Sequence, residues 1–175
     1  MSRIFGDITQ IAYLTRDLKK AVAYFHDRQG IGPWFMAENR VIPNTNYRGK
    51  TVDLGMSVGL ANSGSLQLEI IEPVRGAPSI YNEWLDRHPD ELLVQHVSSW
   101  PVDYQARESA AFAAGWEAVH TGANEQGRFG YYQHKDHPEF TFEMAELTES
   151  RRLMFKAIRE AAEGWDGSNP YRGRP

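Results

Sequence analysis

The stretch Gly64–Pro73, with the sequence GSLQLEIIEP, carries one glutamate, Glu69, inside an otherwise apolar run. On a β-strand the two leucines and Ile70 point to one face, whereas Gln67, Glu69 and Ile71 point to the other. A carboxylate buried in such a strand without a partner costs several kcal/mol. Two alternatives follow: the Glu69 face is solvated, or a positive group lies against it.

The composition of the 175-residue chain is that of a globular protein of one domain or two small fused modules, with 41% hydrophobic and 12% aromatic residues. The net charge of −4, with both signs mixed along the chain, indicates neither a nucleic-acid nor an anionic membrane partner. Because there is no cysteine, a metal would need histidine, carboxylate or amide ligands. With no apolar leader and no membrane-length apolar run, we expect a soluble cytoplasmic protein.

The first half of the chain predicts a β-α-β-β-β unit. Asp17 stands in an N-cap position before a helical apolar pattern, and Gly30 is a C-terminal stop. Asn39–Lys50, with a proline and three asparagines, predicts a long loop. Strands are predicted at 8–15, around Trp34, at 51–61 and at 66–72, and a short helix follows at 78–88.

The same order of elements recurs in the second half. Strands are predicted at 93–100, 117–121, 129–134 and 140–147, with a helix between Asp103 and Gly115. Gln10 precedes Asp17 by the same spacing as His96 precedes Asp103. Each half ends in a strand with one central glutamate, Glu69 or Glu143. We therefore interpret the chain as a duplicated module.

Four polar residues occupy equivalent places in the first and last strands of the two halves: Gln10, Glu69, His96 and Glu143. An approximate twofold relation between the halves would bring them to one point. One imidazole nitrogen, two carboxylates and one amide oxygen suit a divalent cation. Taken singly, His96 is typical of a core histidine, but the matching places in both halves favour a metal site.

Several short segments occur in an order that is similar to a known family. They are QIAY at 10–13, RDL at 16–18, QLEIIEP at 67–73, PSIY at 78–81, QHV at 95–97 and FEM at 142–144. Over residues 5–147 the chain resembles the vicinal oxygen chelate superfamily, which includes glyoxalase I, methylmalonyl-CoA epimerase, extradiol dioxygenases and bleomycin-resistance proteins.

The resemblance implies an α+β fold in which two β-α-β-β-β modules form an open, U-shaped mixed sheet around a metal site, plus a C-terminal helix. The modules, at about residues 5–75 and 92–147 and linked by the helix at 78–88, would form one domain, 1–147. Residues 148–175 would add the helix, predicted at 151–163, and a loose tail.

The family's metal-ligand positions map onto Gln10, Glu69, His96 and Glu143, which implies one divalent ion: Zn, Ni, Co, Mn or Fe. This ligand set resembles that of zinc-type glyoxalase I, whereas many epimerases place histidine where this chain has Gln10. The helix at 78–88 instead resembles the epimerase-type single-chain proteins. The resemblance therefore leaves the substrate open.

The chemistry implied is that of a metal-dependent lyase or isomerase, which removes a proton next to the carbonyl of a small molecule through a metal-stabilised enediolate or enolate. The resemblance makes Glu143 the first candidate for the base and Glu69 the second, unless both are only ligands. One alternative is a non-catalytic small-molecule binding or resistance protein of the same fold. The other is an extradiol-type dioxygenase, although such iron sites favour two histidines.

Nine further residues are candidates for binding the substrate. Most are apolar or aromatic and suit the wall of a small-molecule site, while the others lie in loop-like segments and could meet an anionic group. Core packing and solvated surface arginines are the ordinary alternatives. The candidates are Trp34, Phe35, Met56, Trp100, Phe129, Tyr131, Tyr47, Arg48 and Arg128.

The predicted C-terminal helix has an apolar stripe and lies outside the duplicated modules. Such a stripe must be covered, either by the back of the sheet or by a partner chain. Together with the resemblance, this predicts a homodimer.

Overall fold

The computed structural model describes residues 2–88, 92–173 and 175. Met1, residues 89–91 and Arg174, which belong to the predicted domain and tail, lie outside the described residues. The helices are α1 (Leu18–Gln29), α2 (Ile80–Arg87), α3 (Tyr104–Ala113) and α4 (Glu149–Ala162). The strands are β1 (Gln10–Thr15), β2 (Trp34–Tyr47), β3 (Lys50–Ser63), β4 (Leu66–Pro73), β5 (Leu92–Ser99), β6 (Trp116–Asn124), β7 (Gly127–His134), β8 (His137–Ala145) and β9 (Tyr171–Gly173).

The strands form one mixed sheet in the order β3-β4-β1-β5-β8-β7-β6-β2-β9. β1 pairs in parallel with β4, β5 pairs in parallel with β8, and β1 and β5 join antiparallel at the centre. The predicted α+β fold class is thus confirmed. One feature differs, because β2 pairs with both β3 and β6 and the sheet closes into a barrel-like ring instead of staying open.

The course of β2 explains this closure. The predicted loop at Asn39–Lys50 is wrong, since most of it belongs to β2. Asn39 and Asn44 have φ of 52° and 55°, and the pairing with β3 shifts register around both. Asparagine tolerates this left-handed conformation, so the residues that suggested a loop occupy bulges instead. Because bulges bend a strand, the far end of β2 reaches β6, where Asn46 pairs with Thr121.

The apolar core forms three clusters, two outside the ring and one inside it. α1 packs on the first module, where it covers Leu68 and Ile70 of β4. α3 packs on the second module against Phe142 and Met144 of β8. Ile71 belongs to the inner cluster, which also includes residues of α2. The alternation predicted for β4 therefore places Glu69, like Ile71, on the inner face of the ring.

α4 covers one end of the ring interior. The hydroxyl of Thr148 caps the helix by accepting from the Arg151 N–H at 3.3 Å, and Ile158 is fully buried. Phe155 packs on Trp100 with 4.1 Å between the ring centroids. The helix thus packs on the concave side of its own sheet, and it gives no argument for a partner chain. The homodimer stays a prediction from the resemblance.

The tail also differs from the loose segment that we expected. Its residues 171–173 form β9, which pairs in parallel with the start of β2 at Trp34–Met36. In the described part of the chain, no helix has the length and apolar character that crossing a membrane requires.

Candidate metal centre

The sheet register brings the four predicted ligands onto the inner face of four adjacent strands. One row across β4, β1, β5 and β8 contains Gln67, Gln10, Ser98 and Glu143. The next row on that face contains Glu69, Ala12, His96 and Thr141. Ala12 and Ser98 are small and fully buried, so they leave room for the longer side chains around them to lean together.

Glu69, His96 and Glu143 converge on one point. Nε2 of His96 lies 3.6 Å from Oε2 of Glu69 and 3.5 Å from Oε2 of Glu143, and the three ligand atoms all lie within 4.8 Å of one another. In a tetrahedral zinc site with bonds of about 2.1 Å, ligand atoms are about 3.4 Å apart. The spacing therefore fits a divalent ion.

The neighbour of His96 sets the orientation of its imidazole. Nδ1 lies 2.6 Å from Oε1 of Gln95, to which it donates, and Nε2 is buried without a hydrogen-bond partner. A bulge in the β1–β5 pairing lies at Gln95, so two consecutive residues of β5 are both buried. An imidazole oriented by its other nitrogen, with a buried free nitrogen beside two carboxylates, has the arrangement of a metal ligand.

The charges of the group are strongly coupled. Burial lowers the pKa of His96, but the carboxylates of Glu143 and Glu69 outweigh it and raise this pKa to about 9. Burial raises the pKa of Glu69, and the charge of Glu143 adds to that effect. Burial also acts to raise the pKa of Glu143, but the imidazole of His96, 3.5 Å away, and the charge of Arg151 help to bring it below the usual value. Without a cation, the imidazolium of His96 offsets one of the two carboxylate charges.

Gln10 lies beside this group and is buried. Its Nε2 donates to Oε1 of Gln67 at 2.8 Å, which leaves its own Oε1 without a hydrogen-bond partner among the described residues. Gln10 lines the same cavity as Glu69 and Glu143. The amide oxygen is therefore available as a fourth ligand.

A cavity of about 430 Å³ opens over the carboxylates inside the ring. Four of the nine candidate substrate-binding residues line it: Phe35, Met56, Phe129 and Tyr131. Further apolar residues from β2, β3 and α4 complete its wall. The centre is thus a polar patch in a largely apolar chamber.

The other five candidates do not line the cavity and have other partners. Trp34 is buried in the α1 cluster and donates to the Ile31 carbonyl at 2.8 Å. Trp100 packs against Phe155 of α4 with the two rings tilted by 35°. The three polar candidates form hydrogen bonds with glutamates: Tyr47 and Arg48 with Glu83, and Arg128 with Glu146.

Tyr81 and Arg151 are among the cavity residues that the sequence prediction does not include. The hydroxyl of Tyr81, on α2, makes a hydrogen bond to that of Tyr131 in the cavity wall. Arg151 was treated only as the start of the terminal helix, but it is buried and lines the cavity. A signal was present for Arg151, since a capping box has Glu or Gln three residues after the N-cap and this chain has arginine there.

Comparisons with known proteins agree with this fold. The methylmalonyl-CoA epimerase of Mycobacterium tuberculosis superposes with a TM-score of 0.60 at 14% identity, covering 87% of this chain and 95% of that one. A variant of the Streptomyces coelicolor methylmalonyl-CoA epimerase, in complex with 2-nitronate-propionyl-CoA, gives 0.55 at 18% identity, covering 83% and 96%. A hypothetical protein of Bacillus halodurans gives 0.55 at 10% identity, covering 82% and 95%.

A search of curated protein sequences found no match. At these identities the solved structures show the fold alone. The family is shown by the sequence, because residues 9–132 match the family model of the glyoxalase/bleomycin resistance protein/dioxygenase superfamily. This match spans more than half of the chain and includes Gln10, Glu69 and His96. The chain therefore belongs to the glyoxalase/bleomycin resistance protein/dioxygenase superfamily.

Proposed function

We propose that this protein is a metal-dependent isomerase or lyase that removes a proton next to the carbonyl of a small molecule. One observation carries the proposal: Glu69, His96 and Glu143 converge at a largely apolar cavity of about 430 Å³. That volume is near the lower end for small-molecule sites. Support also comes from the similar fold of methylmalonyl-CoA epimerases, one of which was solved with methylmalonyl-CoA.

We propose Glu69, His96 and Glu143 as ligands of one divalent ion, with Gln10 as the fourth. The two carboxylates balance the charge of such an ion, and the free Nε2 of His96 supplies a nitrogen donor. When bound, the ion would supply Lewis-acid polarisation of the substrate carbonyl.

In this proposal Glu143 is the first proton acceptor and Glu69 the second. The two carboxylates come from β8 and β4, which lie on opposite sides of β1 and β5 in the sheet, and both border the cavity. A substrate carbon between them is within reach of a carboxylate from two directions. If an ionised Glu143 takes the proton from one face and a protonated Glu69 donates its own proton to the other face, the carbon is inverted, and the proton gained by Glu143 passes to Glu69 or solvent before the next turnover. If the proton returns to the adjacent carbon, the outcome is of the glyoxalase type.

The hydroxyl pair of Tyr81 and Tyr131 would support the substrate from beside the carboxylates, since Tyr131 is the cross-strand neighbour of Glu143. Burial raises the pKa of both phenols, and the nearby charges of Glu69 and Glu143 add to this effect. Both hydroxyls therefore stay protonated. Since one proton is used in the bond between them, the other remains free to donate to a substrate oxygen.

The test is wash-in of solvent deuterium at the carbon next to the carbonyl, followed by NMR. The compounds are a methylmalonyl thioester, a 2-oxo acid and a hemithioacetal, each with metal-loaded and metal-stripped protein. We expect exchange with at least one compound, lost on stripping and restored when the metal is returned. Tight binding without exchange would favour the non-catalytic binding protein, and oxygen consumption with a catechol would favour the dioxygenase.

A further inference from the structure

Arg151 is a buried cation at a place where a helix disfavours one. It is 4% exposed and stands in the first turn of α4, where the helix dipole favours negative charge. Burial lowers the pKa of its guanidinium from the usual value. In the described part of the chain, no carboxylate oxygen lies within salt-bridge distance of it. Such a costly arrangement points to a role outside stability.

Only part of the guanidinium is used within the protein. Nη1 donates to the carbonyl of Arg128 at 3.0 Å and to that of Glu146 at 2.6 Å. Nε and Nη2 make no hydrogen bond with the described residues, and Arg151 lines the cavity. Two carbonyls therefore fix the side chain in position, while the rest of the planar donor fork remains available to a ligand.

The balance of charge around the cavity also calls for an anion. A divalent ion at the proposed centre would neutralise the carboxylates of Glu69 and Glu143. Arg151 would then keep only the nearby charge of Glu146, which is already paired with Arg128. A ligand with one negative charge restores neutrality, which favours a carboxylate over a phosphate.

The rest of the wall specifies what must be attached to that anion. Met154, Phe155 and Ile158 of α4 line the cavity beside Arg151, and Met56 and Phe129 line it from the sheet. Met154 Sδ already accepts from Nε2 of Gln126 and the other four offer no polar partner, so the part of the ligand beside them is apolar, while polar groups line the cavity elsewhere, Tyr81 and Tyr131 among them.

We propose that Arg151 binds the carboxylate of the substrate, and that the cavity takes a small carbonyl compound whose carboxylate is joined through an apolar body. The part of this proposal that concerns the substrate carbonyl rests on the proposed function. The part that concerns the carboxylate is independent of the proposed function, because Arg151 needs no metal to bind an anion.

The experiment compares two probes of the same length, hexanoate and its neutral amide, by ligand-observed NMR titration. It uses metal-stripped and zinc-loaded protein, so that the result stands apart from metal chemistry. We expect the wild-type protein to bind hexanoate about 10- to 100-fold more tightly than hexanamide in the zinc-loaded form, as a charge-assisted hydrogen bond provides, and to keep a smaller preference in the metal-stripped form, where the carboxylates of Glu69 and Glu143 repel an anion. Equal binding of the two probes would overturn the proposal.

Substitutions test whether Arg151 causes the preference for hexanoate over hexanamide. Arg151→Gln should abolish the preference and Arg151→Lys should keep part of it. The matched control is Arg152→Gln, the next residue on α4, whose half-exposed side chain pairs with Glu149 instead. Should Arg151→Gln fail to fold, the comparison of Arg151→Lys with wild type decides. An unchanged hexanoate preference in the folded Arg151 variants would refute the assignment. Hexanoate preference without any deuterium exchange would leave this inference standing and count against the proposed function alone.

Discussion

The two ends of the cavity are built in different ways. The polar floor, defined as Gln10, Glu69, His96 and Glu143, stands on strands of both modules, and the register of the sheet sets its geometry. The helical wall, defined as Arg151, Met154, Phe155 and Ile158, stands on one helix that follows the modules. Three residues of the floor lie within the part matched by the family, and none of the wall does. The family match thus covers most of the floor and none of the helical wall.

The largest effect should follow from removing the proton acceptor on the floor. Glu143→Gln keeps an oxygen donor of similar shape but cannot accept the proton. At saturating metal we expect deuterium exchange to fall by a factor of about 10² to 10⁴. Glu146→Gln is the control, since that carboxylate pairs with Arg128 away from the cavity. Undiminished exchange in Glu143→Gln would transfer the role to Glu69.

The floor should also make the stability of the metal-free protein depend on pH. The pKa of His96 is about 9 in the folded chain, against an ordinary value of 6.5. Because the folded pKa is the higher one, the stabilisation is complete below pH 6.5 and is lost as the pH rises through 9. We expect a loss on the order of 3 kcal/mol in the free energy of unfolding, measured by urea titration in the presence of a chelator. His96→Gln should show a flatter profile, and an equally steep one would show that other groups cause the dependence.

A smaller effect on metal affinity should follow from removing the hydrogen-bond partner that orients the imidazole of His96. Gln95→Leu removes the acceptor of the His96 Nδ1 proton and leaves all four proposed ligands in place. Loss of such a supporting partner lowers metal affinity by a factor of about 10 to 100. Gln133→Leu is the control, because that amide is also buried but bonds to Thr141. Equal zinc affinity of Gln95→Leu and wild type, measured by competition with a chelator, would argue against His96 as a ligand.

The smallest effect should come from the cap of the helical wall. Thr148→Ala removes the acceptor of the Arg151 N–H and should cost about 1 kcal/mol of unfolding free energy. Amide exchange should become faster in α4, while zinc affinity stays that of the wild type. A large loss of zinc affinity in this variant would show that floor and wall are not independent.

The sequence predicted the floor better than the wall because the two carry different signals. Glu69 and Glu143 recur at matching places of a duplicated pattern, and strand alternation fixes the face on which each lies. For Arg151 the repeat gives no such signal: α2 follows β4 as α4 follows β8, but the third residue after the N-cap is Asn82 in α2 and Arg151 in α4. The helical pattern of α4 shows that one face must be covered, but not which surface covers it.

Two further features could not be predicted from the sequence because they depend on tertiary structure: the course of β2, and which aromatic residues line the cavity. Asn39 and Asn44 indicate positions with a left-handed backbone, which occur in loops and in bulges alike. Only pairing with β3 and β6 distinguishes the two cases. Likewise, Trp34 and Phe35 are adjacent aromatic residues of one strand, and alternation sends the first into the α1 cluster and the second into the cavity.

The central claim is that the polar floor binds a metal ion, and the metal content of purified protein tests it most directly. Elemental analysis of the wild-type chain and of His96→Ala, after equal exposure to zinc and gel filtration, should find about one ion per wild-type chain and a strongly reduced content in the variant. His26→Ala, a change in α1 away from the floor, should retain the wild-type content. Full metal content in folded His96→Ala would contradict the account.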